Sequence, residues 1–236
     1  GTWILSGANG YSGQTTINTG KLIARHPTAL GTGSITFPTS SSLELDYNSD
    51  GEPPYAVSVS SGSTVTLLLG GNTENGVRHT LGNFTIGNIT LNAQAANGVT
   101  VGAPALTIPT MNLSAGASGT ATISPLDAEL HIGSIAILNN SFAKTLKLDG
   151  TNAASTVTGC ISNGLNTLSL VKDNVSSWTL AGSNTYSGAT TVNNGTLRLA
   201  GAEGAILGSS GLTLNGGTLD LDNSTIASAN RIGDTL

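Results

Sequence analysis

The chain has 236 residues, a formal net charge of −5, 9% charged residues and 38% hydrophobic residues. Gly, Thr, Ser and Asn make up close to half of it, and these poor helix formers exclude a helix-rich fold, while the many Leu, Ile and Val residues exclude disorder. The eight Lys and Arg residues are scattered, which excludes a basic footprint for nucleic acid or an anionic membrane surface.

In chain order, the first feature is a repeat. Residues Trp3 to Leu22 align without gaps to Trp178 to Leu197, sharing Trp, Tyr-Ser-Gly, Thr-Thr, Asn and a closing Gly-x-Leu. The likeness continues with small slips through Leu43-Glu44-Leu45-Asp46 and Leu219-Asp220-Leu221-Asp222. The blocks are therefore 3–46 and 178–222, each about two turns of a period near 22 residues. After the first block, Tyr47-Asn-Ser-Asp-Gly-Glu-Pro-Pro-Tyr55 is the strongest loop signal in the chain. It reads as a projecting loop over 47–55.

Short alternating segments follow: Val57–Val59, Val65–Leu69, Phe84–Ile86, Ile89–Leu91, Val99–Val101, Leu106–Ile108, Ile135–Ile137, Leu146–Leu148 and Leu168–Leu170. Their apolar runs are far too short to span a bilayer, so direct membrane insertion is not expected. Strands this short, separated by Gly, Asn and Ser, predict coils whose inward aliphatics stack on their equivalents in the next coil. The expected architecture is all-β: a single parallel β-helix, or β-solenoid, over 1–236, with roughly ten coils and a right-handed wind. The lone Cys160 excludes an intrachain disulfide. With no visible signal peptide and Gly1 almost inside a repeat, the sequence reads as a mature segment or an excised fragment.

The repeat residues carry a resemblance. Leu180, Gly182, Asn184, Tyr186, Gly188, Thr190, Val192, Gly195 and Leu197 resemble the passenger-associated transport repeat of autotransporters, and so do Leu5, Gly7, Asn9, Tyr11, Gly13, Thr15, Ile17, Gly20 and Leu22. The resemblance implies a right-handed β-helical passenger at the bacterial cell surface or outside the cell. It also implies secretion with an outer-membrane β-barrel of the same precursor, which this sequence does not contain. Read physically, Trp3, Tyr11, Trp178 and Tyr186 are expected to pack in the core. Gly13 and Gly188 serve the Tyr-Ser-Gly corner, and Gly20 and Gly195 close a strand with a left-handed turn.

Catalytic patterns are weak. Ser118 in Gly116-Ala-Ser-Gly119 lacks the spacing of a nucleophile elbow. His26, His79, His131 and Cys160 show no zinc spacing. Neither catalytic residues nor a metal or other cofactor are expected. Asp220 and Asp222 share one strand face and are the acidic pair that a β-helix carbohydrate-active enzyme would use. Tyr47, Asp50, Glu52 and Tyr55 are the candidate ligand residues, with tyrosine rings to stack on a sugar and carboxylates to bond it. The expected function is a non-enzymatic stalk or adhesin whose partners are a host surface, glycan or matrix, or a second copy of itself. Alternatives are the carbohydrate-active enzyme and a self-assembling extracellular filament subunit.

Overall fold

A computed structural model describes residues 1–48, 52–71, 77–99, 102–114, 116–138, 142–152, 154–224 and 230–233. Among the described residues there is no helix, and all strand pairs are parallel. The chain alternates between two sheets. The first holds Thr2–Leu5, Lys21–Ala24, Ser41–Asp46, Thr64–Gly70, Thr90–Ala95, Gly119–Pro125, Lys144–Leu148, Leu168–Lys172, Thr190–Val192 and Leu212–Leu214. The second holds Thr15–Thr16, Ile35–Phe37, Val57–Val59, Phe84–Ile86, Ala105–Leu113, Glu129–Ile137, Ser155–Val157, Ser177–Leu180, Thr196–Leu199 and Thr218–Leu221, with Arg78–Thr80 and Ile161–Ser162 pairing alongside. This is a parallel β-solenoid.

Its coils are less regular than a 22-residue period predicts. They run from 19 residues between Thr2 and Lys21 to 32 between Thr90 and Thr122. Between the open first and last rungs, about eight turns are covered on both sides, fewer than the ten expected. The long central coils consume the difference. Val99, expected in a strand, lies in a turn region, and residues 100 and 101 are outside the described set.

Strand alternation builds the core. Val65, Leu91, Ile123 and Leu148 form one inward column, and Ile35, Val57, Phe84, Met111, Ile135 and Ile161 form another. All are buried. The intervening outward positions carry short polar groups, as in Thr36, Ser58, Thr85 and Asn112. One-sided burial of this kind fixes strand register, because a one-residue slip would turn each column inside out.

The two repeats sit in opposite phase. Trp3 lies in a strand of the first sheet and Trp178 in a strand of the second. The short corner at 17–20 therefore leads from the second sheet to the first, and the one at 193–195 leads the other way. Both corners end in a left-handed glycine, Gly20 at φ 82° and Gly195 at φ 64°.

Where the second sheet bends away, Gly82, Pro109, Gly133, Gly159 and Gly182 stack in successive coils. A Cβ on Gly133 would lie 2.1 Å from the Pro109 carbonyl oxygen, and one on Gly159 would lie 2.3 Å from that of Gly133. The backbones approach too closely for any side chain. Gly159→Ala is accordingly expected to destabilise the fold by about 1–3 kcal/mol, read as a lower denaturant midpoint. An unchanged midpoint would mean that the corner relaxes freely.

Candidate functional site

The corner that follows Asp46 holds the candidate ligand residues. Tyr47 and Tyr55 are buried, and the Glu52 side chain is fully enclosed. Asp50 lies outside the described residues. The tyrosine rings are therefore not free to stack on a sugar from outside, which corrects that expectation. The cause is the stack: the neighbouring coils, through Pro27 and Gly31 on one side and His79 on the other, cover rings that bury more favourably than they project.

Tyr55 reaches back across the preceding coil, its hydroxyl 3.0 Å from the Pro27 carbonyl oxygen and 3.1 Å from that of Gly31. Burial pushes its pKa up to about 12. Glu52 Oε1 accepts the backbone N–H of Thr80 at 2.7 Å. Tyr47 meets His79 edge to face, with ring centroids 4.9 Å apart and planes at 83°. Burial, and then the charge of Glu52, push the Tyr47 hydroxyl pKa well above its ordinary value. His79 is fully buried, with Nδ1 3.4 Å from Glu52 Oε1 and Nε2 2.8 Å from the Gly70 carbonyl oxygen. The fold thus draws Tyr47, Glu52 and His79 into one buried cluster. The histidine was missed because no sequence spacing links it to residues 47–52. Its alternation in Arg78–Thr80, which puts residue 79 inward, was the available signal.

Other acidic candidates are paired with basic side chains. Arg198 Nε lies 3.4 Å from Asp220, and its Nη2 bonds Asp222. Hydrogen bonds from Ser224, joined by Arg198, hold the Asp222 carboxyl well below the usual range. Glu44 pairs with Lys21 at 2.7 Å, Asp46 with Arg25 at 2.9 Å, and His131 with Glu129 at 3.1 Å. No acid–base pair aimed at an open cleft emerges from Asp220 and Asp222. The described residues also hold no group of three or more His, Cys, Asp and Glu placed for a metal.

The repeat residues are best understood by comparing their two settings. Trp178 and Tyr186 are fully buried, whereas Trp3 is 77% and Tyr11 40% exposed. Trp178 stands over small Ser155 and under Leu197, and its indole N–H donates to the Asp149 carbonyl at 3.0 Å. Trp3 pairs only forward, with Leu22. Core packing expected of Trp3 and Tyr11 is thus not found, since no preceding coil covers them here. Local bonds survive in both settings: Tyr–Thr hydroxyl contacts of 2.7 Å link Tyr11 to Thr15 and Tyr186 to Thr190. Asn9 donates forward to Ala29 at 2.7 Å and Asn184 to Ala205 at 2.8 Å. Only Asn184 also accepts backward, from the Ile161 N–H at 2.9 Å. Gly188 shows the same dependence, since a Cβ there would meet the Leu168 oxygen at 2.4 Å, while Gly13 has open space.

Residues 1–24 and 170–199 match the passenger-associated-transport-repeat family. The chain carries this repeat twice. No curated protein and no solved structure matches the chain. The intervening coils, 25–169, lie outside the two matched stretches.

Beside the second repeat, Lys172 occupies the inward column between Leu148 and Val192 and is fully buried. Its ammonium donates to the carbonyls of Asp173, Asn174 at 2.9 Å and Asn194 at 3.3 Å, closing the short corners. Desolvation pulls its pKa down to about 8. A solvated lysine in the unfolded chain titrates near 10.4, so between these values the unfolded state binds more protons. Stability should then rise as the pH increases from about 8 to 10. Lys172→Met should flatten that rise in denaturation midpoints, and a slope kept by the variant would assign it elsewhere.

The same comparison separates the aromatics. Trp178→Ala is expected to cost about 3–5 kcal/mol, and Trp3→Ala to stay within about 0.5 kcal/mol. Equal shifts in melting temperature for the two variants would sink the neighbouring-coil account.

Proposed function

We propose that the chain is a non-enzymatic passenger segment of an autotransporter, secreted or displayed at the bacterial surface as a stalk or adhesin, with its repeats serving folding and export. The observation that carries this reading is the pair of passenger-associated repeats set in a continuous parallel stack. A right-handed wind over 1–236 as one unit goes with it, because parallel crossover connections are almost always right-handed. The repeat suits export physically. Its corner bonds are made within a few residues, as between Tyr186 and Thr190, so a coil can form soon after its residues emerge. The next coil then buries Trp178 and Tyr186 and opposes backsliding. An outer-membrane β-barrel of the same precursor is the proposed secretion partner, and a host glycan, matrix or second copy the proposed contact outside.

The test is surface display of residues 1–236 fused to a translocator barrel. Trp178→Ala with Tyr186→Ala should lower the protease-accessible passenger at the cell surface several-fold, at equal synthesis and equal barrel insertion. Undiminished display would remove the export role from the repeat.

A further inference from the structure

An asparagine followed by glycine exposes its side-chain amide to attack by its own backbone, because glycine has no Cβ to obstruct the next nitrogen. The chain holds six such pairs, beginning at Asn9, Asn75, Asn97, Asn163, Asn194 and Asn215, and Asn75 lies outside the described residues. Four of the other five have their amides held. Asn9 Nδ2 donates to the Ala29 carbonyl at 2.7 Å, and Asn215 Nδ2 to Asn193 Oδ1 at 2.9 Å. Asn163 Oδ1 accepts the N–H groups of Leu168 and Ser187, while its Nδ2 donates to Ser187 Oγ at 2.6 Å. Asn194 Oδ1 accepts the N–H of Gly195, the attacking nitrogen itself, at 2.8 Å. Two of the glycines are crowded as well: a Cβ would lie 2.6 Å from the Ile137 oxygen at Gly164 and 2.4 Å from the Asn174 oxygen at Gly195. Asn97 differs on both counts. It is exposed in the corner over 96–104, its amide has no hydrogen bond among the described residues, and Gly98 has open space around it. Ala96–Val99 is a turn with Gly98 at φ 100°, closed by a long hydrogen bond of 3.3 Å from the Val99 N–H to the Ala96 carbonyl.

We propose that Asn97 is a self-modification site, at which the folded chain loses an amide and gains one negative charge. The Gly98 nitrogen attacks Asn97 Cγ and forms a C–N bond, and the Cγ–Nδ2 bond breaks. The proton of the Gly98 nitrogen passes to solvent base, and Nδ2 takes a proton from water to leave as ammonia. Water then opens the five-membered succinimide at either of its carbonyls, giving aspartate or isoaspartate. Solvent supplies everything the step consumes. Each hydrogen bond that must break before the amide can turn toward the attacking nitrogen slows the reaction several-fold. Asn97 has none to break and reacts first, whereas Asn163 has three. The change is one-way, so it records the age of each molecule in its net charge, which moves one unit beyond −5.

The experiment stores the folded wild-type chain in mildly alkaline buffer at body temperature and follows each Asn-Gly pair by peptide mapping with mass spectrometry. Asn97 should convert to a mixture of aspartate and isoaspartate several-fold faster than Asn9, Asn163, Asn194 or Asn215. A parallel sample in denaturant should bring the five sites to similar rates, because the hydrogen bonds that protect four of them are then gone. The proposal is overturned if any of the four keeps pace with Asn97 in the folded chain. It is equally overturned if Asn97 stays an amide while the unfolded chain converts, or if denaturant leaves the folded-state ranking intact. Every reading is made on wild-type protein, so the test does not depend on a variant that folds.

Discussion

Backbone pairing between consecutive coils is the constraint on which the rest of this structure depends. In a parallel stack each strand bonds the coil before and the coil after, and its side chains find their partners in the same two places. The repeats are an internal control for this. Segments of like sequence form the same hydroxyl contact and the same forward asparagine bond. Yet one tryptophan is sealed and the other lies open. The difference resides in the neighbouring coil and not in the segment.

A composition so poor in charge follows from the same constraint. Columns of equivalent residues in a stack are a few ångströms apart, so a repeated charge would face its own like in the next coil. Short hydroxyl and amide side chains avoid that and can bridge coils. Asn184 does so, accepting from Ile161 on one side and donating to Ala205 on the other. Two of the buried basic residues act on the backbone, while Lys144 donates to the Asn88 side chain. Lys172 gathers corner carbonyls, and Arg231 donates to the carbonyl oxygens of Gly204, Gly201 and Asp222. Burying a cation is tolerable when its donors are spent on such acceptors.

The opposite phase of the two repeats shows what a two-sheet solenoid permits. Each sheet asks only for inward alternation and a matching ladder, so a motif can begin on either one. Corners of three or four residues lie on one side at 17–20, 38–40, 60–63 and 87–89, and on the other at 126–128, 173–176, 193–195 and 215–217. The two nine-residue strands, Ala105–Leu113 and Glu129–Ile137, span the changeover. Their long mutual register, from Ala105 against Glu129 to Leu113 against Ile137, holds the coils in line while the corners exchange sides.

The amino-acid sequence by itself determined the fold class and the local chemistry of the repeat. Two-residue alternation, the left-handed turns at Gly20 and Gly195, and the Tyr-to-Thr spacing are short-range properties, legible wherever the pattern stands. Coil number was not legible, because corner lengths vary between 3 residues at 193–195 and 12 at 200–211, and periodicity in the repeats says nothing of the coils between. Nor was the fate of Tyr47, Glu52 and Tyr55. A segment rich in turn residues reads as surface, and only the coil above and the coil below decide whether its rings face water. His79 reaches Glu52 across 27 positions of sequence because stacking makes distant residues neighbours at the spacing of one coil. Burial, partners and the electrostatic character of that corner are properties of the stack, and the stack exists only in three dimensions.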